Sequence, residues 1–410
     1  MRDTLYTLSR QYLEAKNQTY RRKLLSSQQL EHRLSVLVGQ RGVGKTTLIV
    51  QELLAYVQQD LMSTKILYVP VDHFLISGFT LYDMAESFLN YGGEFIVFDE
   101  IHKYPNWSQE LKSIYDTFPS LRMIASGSSV LEISKGSHDL VRRSIVSQVV
   151  GLSLKEYIEM TLPITLDSYT LNDLLMHHES IATAIVRELG NHNKKILALF
   201  NDYLKMGYYP YFLELSSIEL YYITLEQNLH ATLESDLPAI YPHLTGNSTL
   251  KIKQLLSYIA ANVPFMTDVK KLKEFIQISD TRTLKNYLYY LEQAHVIRAL
   301  TSSSKKLTKY EGPAKLYLDN PNQLYALSPL IQNKGTLREL FFNAMLSTKH
   351  DITLPLRGDF LVDDTLLFEV GGKKKGFKQV GSANNAYVAA DGIECGFKNK
   401  IPLWLFGFLY

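Results

Sequence analysis

Short, almost wholly apolar runs mark the first third of the chain: LSVLV at 34–38, FIVFD at 95–99 and Leu121 to Ala125. Runs of this length, ended by glycine, carboxylate or hydroxyl residues, predict strands covered on both faces, as in a parallel sheet. The opening stretch MRDTLYTLSRQYLEAKNQTYRRKLL has the rhythm of an amphipathic helix. From 156 to 245 the apolar period lengthens, in DLLMHHESIATAIVREL and KKILALFNDYLKM, and predicts a helical bundle or lid. Three helical runs follow between 249 and 300, TLKIKQLLSYIAAN, DVKKLKEFIQ and DTRTLKNYLYYLEQAHVI, the last with Asp280 as its N-cap. Two strand-like pieces, RALTSSSKKL and KLYLDN, complete the order of a winged-helix-like module. After LRELFFNAMLS, the stretch GDFLVDDTLLFEVGGKKKGFKQV predicts a hairpin, and the apolar IPLWLFGFLY a buried final strand. The expected fold class is α/β, in four segments: 1–155, 156–245, 246–330 and 331–410.

The first strand runs directly into Gly39, Gln40, Arg41, Gly42, Val43, Gly44, Lys45, Thr46 and Thr47, the P-loop pattern GxxxxGK[ST] between a strand and a helix. Phosphates are held where backbone N–H groups converge at a helix N-terminus, which requires glycines without Cβ obstruction. Lys45 is expected to neutralise the β and γ phosphates, and the Thr46 hydroxyl to ligate Mg²⁺. The metal and the attacking water must be handled opposite this loop, and FIVFDE supplies the carboxylates. Asp99 would hold Mg²⁺ through water, and Glu100 would orient or deprotonate the attacking water. The absence of an NKxD-like guanine-reading motif after the loop favours ATP over GTP.

Other candidates each admit a plainer alternative. Ser126, Gly127, Ser128 and Ser129 end the third strand. Ser126 is the favoured γ-phosphate sensor, and a turn or helix cap is the alternative. Arg142 and Arg143 are candidates for stabilising charge on a transferring phosphoryl group, within the chain or across a subunit boundary, against a surface or interdomain salt bridge. Trp107 reads as packing, and His102 and Lys103 as a solvated loop beside the site. His177 and His178 diverge around a helix axis and find no third ligand at useful spacing.

Charge alters one part of this picture. The 410-residue chain is 46% hydrophobic and 20% charged with a net charge of +2, the balance of a folded globular protein. Between Thr249 and Tyr310, however, lysine and arginine outnumber aspartate and glutamate by 11 to 4. Arg282 and Lys285 at the start of the third helix, with Lys305, Lys306 and Lys309 on the wing, could reach DNA phosphates. Tyrosines and apolar residues fill much of that helix, which leaves few positions for reading bases; the alternative is a module that only packs against the P-loop domain or a protein partner, its lysines solvated, and a homo-oligomer is also open. No run reaches the roughly 18–20 apolar residues of a membrane span, and the N-terminus lacks the apolar core of a secretory signal. The lone Cys395 excludes an internal disulfide. A cytoplasmic protein with no membrane partner is expected.

The stretches VGQRGVGKTTL, DEIHKYPNW with LKSIYD, SGSSVLEIS, DLVRRSIVSQVVGLSLKEYIE and DYLKMGYYPYF together resemble the prokaryotic AAA-like ATPases of the DUF4143 type, related to archaeal-type ATPases. Tyr208 stands where that family has a second glycine. The resemblance implies an AAA-like P-loop domain in 1–155, a helical lid, a winged-helix-like segment, and a C-terminal domain in 331–410 related to the PD-(D/E)xK restriction-endonuclease fold. Such nucleases hold Mg²⁺ with an Asp and a Glu and use a Lys beside them. Asp359 and Glu369 are the matching carboxylates, Gly371 occupies the usual lysine position, and Lys373 is the substitute expected on the same strand face. The departure weakens a nuclease reading in favour of a binding or assembly role. The functional expectation is an ATP-hydrolysing switch coupled to the basic module; the alternatives are a nucleotide-regulated protein scaffold and, behind it, a Mg²⁺-dependent nuclease.

Overall fold

The computed structural model describes residues 2–23, 30, 32–127, 140, 142–303, 313–328, 333–376 and 385–410. They form two compact units, Met1–Gly151 with Ala231–Thr245, and Leu152–His230 with Gly246–Tyr410. The segment Ala231–Thr245, whose apolar period grouped it with the preceding helices, thus belongs to the first unit.

The first unit is built on five parallel strands: β1 (Leu34–Val38), β2 (Ile66–Pro70), β3 (Phe95–Asp99), β4 (Arg122–Gly127) and β5 (Ile145–Gln148), in the order β2-β3-β4-β1-β5. Every residue of β1, β2 and β3 is buried, as unbroken apolar runs require. The edge strand β5 alternates and leaves Val146 and Gln148 exposed. Helix α1 (Arg2–Lys16) lies along the other edge, where Ser9 Oγ accepts the Tyr68 N–H at 2.9 Å and so occupies a group that an edge would leave unpaired. Helices α2 (Lys45–Tyr56), α3 (Leu81–Asn90) and α4 (Trp107–Thr117) connect the strands. Trp107 opens α4 and is buried in the core with Phe98, Leu111 and Met123, a packing role.

β4 is inserted between β1 and β3. This order sets the strand feeding the P-loop and the strand ending in Asp99 on either side of the strand ending in Ser126 and Gly127, so three sequence-distant segments reach one end of the sheet.

In the second unit, α5 (Leu154–Thr161) and α6 (Leu171–Asn191) start with capping boxes from Ser153 with Glu156 and Thr170 with Asp173. α7 (Ile196–Met206) and α8 (Ile218–Ala231) follow. The turn in GYYPYF is held by buried Asn322, whose Oδ1 accepts from Tyr208 N (2.8 Å) and the Tyr221 hydroxyl (2.6 Å). Next come α9 (Gly246–Asn262), α10 (Val269–Phe275) and α11 (Thr281–Gln293). Asp280 caps α11 as expected, accepting from Arg282 N and Thr283 N at 3.1 Å each. An antiparallel sheet of β6 (Phe265–Met266), β7 (Ile297–Leu300) and β8 (Lys315–Leu318), in the order β6-β8-β7, accompanies these helices. Lys305, Lys306 and Lys309 lie outside the described residues.

The chain ends in α12 (Pro321–Leu327), α13 (Lys334–Leu346) and a five-stranded sheet of β9 (Ile352–Thr353), β10 (Phe360–Val362), β11 (Leu366–Gly371), β12 (Ala386–Ala390) and β13 (Lys400–Pro402), ordered β13-β12-β11-β10-β9. The expected hairpin is β10 with β11, antiparallel. The closing apolar segment differs from the single strand expected. Its ladder stops at Pro402, which has no N–H to offer, and Leu403–Phe408 turn into a buried 3₁₀ helix.

Candidate nucleotide site

The P-loop takes its shape from two constraints on its glycines. A Cβ on Gly39 would stand 2.2 Å from the Val149 carbonyl oxygen, so β1 can exit beside the end of β5 only without a side chain there. Gly44 caps α2 at φ 93°, a left-handed conformation that L side chains resist. Arg22 braces the loop from outside, donating to the carbonyls of Val43 (3.0 Å), Val150 (2.9 Å) and Gly151 (2.9 Å). At the start of α2, Lys45 is buried and its Nζ donates to the carbonyls of Gly39 and Gln40, each at 2.8 Å. Burial pushes its pKa down, against the pull of Glu100 and Asp99. An ammonium held on two neutral carbonyls in a desolvated loop is a cation that an anionic oxygen would satisfy better.

The acidic end of β3 faces this loop. Thr46 Oγ1 donates to Asp99 Oδ2 at 2.8 Å. The Tyr68 hydroxyl donates to the same oxygen, and the Ser126 hydroxyl donates to Asp99 Oδ1. Glu100 N lies 3.1 Å from Asp99 Oδ1 and 3.2 Å from Ser126 Oγ. Asp99 is thus ringed by donors from three other elements. Burial, and then Asp99 itself, hold the Tyr68 hydroxyl protonated far above its usual range. Glu100 has φ 56°, an uncommon left-handed conformation for a residue with a side chain, and its Oε2 is buried without a hydrogen bond. The residues fit a magnesium nucleotide: a glycine-containing loop at a helix N-terminus, a desolvated lysine, a hydroxyl and carboxylate in contact, and a carboxylate oxygen without a hydrogen-bond donor.

Arg41 turns to Asp236. Its Nε donates to Oδ2 at 2.8 Å and its Nη2 to Oδ1 at 2.6 Å, a bidentate pair. Asp236 is only 2% exposed and ends a five-residue π-helical stretch, Thr232–Asp236. Burial alone would raise its pKa, but Arg41 and then His102 hold it well below the usual carboxylate range. His102 Nε2 stands 3.5 Å from both Asp236 Oδ1 and Glu100 Oε2. Its side chain is fully buried, which corrects the expectation of a solvated loop. Lys103 pairs instead with Asp72.

Sequence reasoning missed Tyr68 and Asp236. Tyr68 carries the one hydroxyl in ILYVP, a signal easily taken for core. Asp236 lies 195 residues beyond Arg41, and no local pattern links the two.

Arg143 forms a bidentate pair with Asp116 near the end of α4, at 2.8 and 3.0 Å, and Arg142 is exposed. Ser128 and Ser129 fall outside the described residues. His178 Nε2 sits 2.7 Å from the Lys398 carbonyl. In the C-terminal sheet, Asp359 Oδ2 accepts from Val370 N at 2.7 Å, and burial raises its pKa. Glu369 is fully buried, and the lysine that meets it is Lys375, 2.5 Å away. Lys373, the substitute expected from strand spacing, is exposed in the turn after Gly372, because β11 ends at Gly371 and the alternation of faces ends with it.

Comparison with known proteins agrees with the first unit. Residues 31–158 match the family model described as an AAA domain, and the N-terminal part of the chain is therefore AAA-like, with a P-loop nucleotide site. Residues 197–333 match a domain of unknown function, DUF8612, where the resemblance had implied the DUF4143 type. No curated protein matches. Among solved structures, the Thermotoga maritima RuvB Holliday junction branch migration motor is similar at 16% identity and a TM-score of 0.26, over 76% of this chain and 96% of that one. Caenorhabditis elegans PCH-2 is similar at 17% identity and a TM-score of 0.24, over 46% and 48%. No helix among the described residues is long and apolar enough to cross a membrane.

Proposed function

We propose that the chain binds Mg·ATP at the P-loop and hydrolyses it, and that nucleotide state switches the hold of its basic module on DNA. The observation that carries the ATPase reading is the contact of Thr46 with Asp99, which sets the phosphate cradle against the acidic strand end. Bound Mg²⁺ would offset charge on the phosphates and on the departing diphosphate. Lys45 would leave the carbonyls of Gly39 and Gln40 for phosphate oxygens, Thr46 and, through water, Asp99 would hold the metal, and Ser126 would keep Asp99 and the Glu100 backbone in place. Glu100, with a carboxylate oxygen unclaimed by hydrogen bonds, accepts the proton of the attacking water. Lys45→Ala should abolish nucleotide binding, measured with a fluorescent ATP analogue. Glu100→Gln should keep binding and lower turnover by about 10²–10⁴-fold. Undiminished turnover in both variants would refute the site.

The DNA part of the proposal is supported by the arrangement of α9 to α11 with the β6-β8-β7 sheet, which we read as winged-helix-like, and by the exposure of Lys270, Lys271 and Arg282. A second reading, a nucleotide-regulated protein scaffold, is favoured by α11 itself. Leu284, Tyr287, Leu288, Tyr290 and Leu291 are buried, so the helix offers few side chains to base edges.

A further inference from the structure

The P-loop arginine, the histidine after the acidic strand and a carboxylate from a segment far along the chain converge on one point. We infer that Asp236 is a positioning residue for hydrolysis: it sets His102 against Glu100 and holds Arg41 at the rim of the P-loop, so that the catalytic geometry depends on the docked segment Ala231–Thr245. The inference rests on the ATPase reading of the site.

The geometry is specific. Both Asp236 oxygens are engaged by Arg41, and Oδ1 is also approached by His102 Nε2. The same nitrogen is equally close to Glu100 Oε2, the buried oxygen that no hydrogen bond occupies. With its side chain fully buried, the imidazole has little room to turn, and the Asp236 carboxylate, which shares Nε2 with Glu100, favours the ring orientation that keeps this nitrogen between the two acids. Removing that carboxylate frees the ring, whose Nε2 stands 3.5 Å from Glu100 Oε2. Arg41 lies inside the GxxxxGK loop, two residues from Gly39, so its tether to Asp236 also limits where the loop backbone can move.

A second observation concerns the backbone that delivers Asp236. It is the last residue of the π-helical stretch Thr232–Asp236, an irregularity that is rare in helices and concentrated at functional sites. In this stretch each backbone bond spans one residue more than in an α-helix, which changes the angle at which Asp236 leaves the axis. Leu233, Leu237 and Ile240 are buried around it and anchor the segment. On either side the chain belongs to the second unit, through α8 and α9.

The test compares full-length wild type, Asp236→Asn, Asp236→Glu and His102→Asn, reading ATP turnover, fluorescent-nucleotide affinity and thermal melting. Asp236→Asn should lower kcat at least tenfold while KM and nucleotide affinity stay within threefold, and Asp236→Glu should recover part of the loss. His102→Asn should give the same split, and serves in place of Asp236→Asn if that variant melts below the assay temperature. Unchanged kcat in Asp236→Asn, or an equal loss of affinity and kcat in a variant that melts normally, would overturn the inference. Wild-type protein without turnover would overturn both this inference and the ATPase reading, whereas turnover that depends on Lys45 but ignores Asp236 would overturn this inference alone.

Discussion

Thr46 Oγ1 donates a 2.8 Å hydrogen bond to Asp99 Oδ2, joining the first turn of α2 to the end of β3. The same two side chains would hold the metal, Thr46 by its hydroxyl and Asp99 through water. Thr46→Val keeps the shape and removes the oxygen. Its turnover should need about tenfold more Mg²⁺, the equivalent of roughly 1.4 kcal/mol. An unshifted magnesium titration would remove Thr46 from the metal site.

Gly39→Ala places a methyl carbon 2.2 Å from the Val149 carbonyl oxygen, a backbone atom that cannot swing away. Overpacking of this kind costs about 1–3 kcal/mol. A lowered melting temperature together with weakened nucleotide binding is expected. Normal melting and binding would show that the approach of β1 to β5 is not a constraint.

Asp236 carries a sign prediction for pH. Its pKa is depressed in the folded protein, so the stabilisation it contributes is fully present above the unfolded value of about 4 and is lost as pH falls toward the lower folded value. Wild type should lose stability steeply in the acid range below about pH 4. Asp236→Asn should be less stable at neutral pH, where Arg41 lacks its counter-charge, and should show a flatter acid limb. Parallel acid limbs in denaturant melts would contradict the assignment.

For the basic module, binding of a short DNA duplex at low salt should weaken steeply as salt rises. Arg282→Ala should lower the slope of log affinity against log salt by about 1. Absence of binding at low salt would favour the protein scaffold.

Legibility from sequence divided along physical lines. The P-loop and FIVFD could be read because each is a contiguous segment whose apolar run, glycines and charges all serve one local geometry. Ser126 was reachable because it ends an apolar strand. Tyr68 was not, since an aromatic residue in a buried strand looks the same whether or not its hydroxyl has work to do. His102 sits among polar loop residues, and its carboxylate neighbour Asp236 comes from a remote segment. Lys373 was expected because alternation was extended past Gly371, where the strand has already ended, and Lys375 meets Glu369 in its place.

The excursion of Ala231–Thr245 makes the AAA-like unit discontinuous. A fragment ending at Gly151 would leave the Arg41 guanidinium and the His102 ring without the carboxylate between them, and would expose the surface that Leu233, Leu237 and Ile240 cover. During synthesis Arg41 cannot meet its carboxylate until the 195 positions separating it from Asp236 have been made. Maturation of the phosphate-binding end is thereby tied to the synthesis of the second unit's first segment, Leu152–His230.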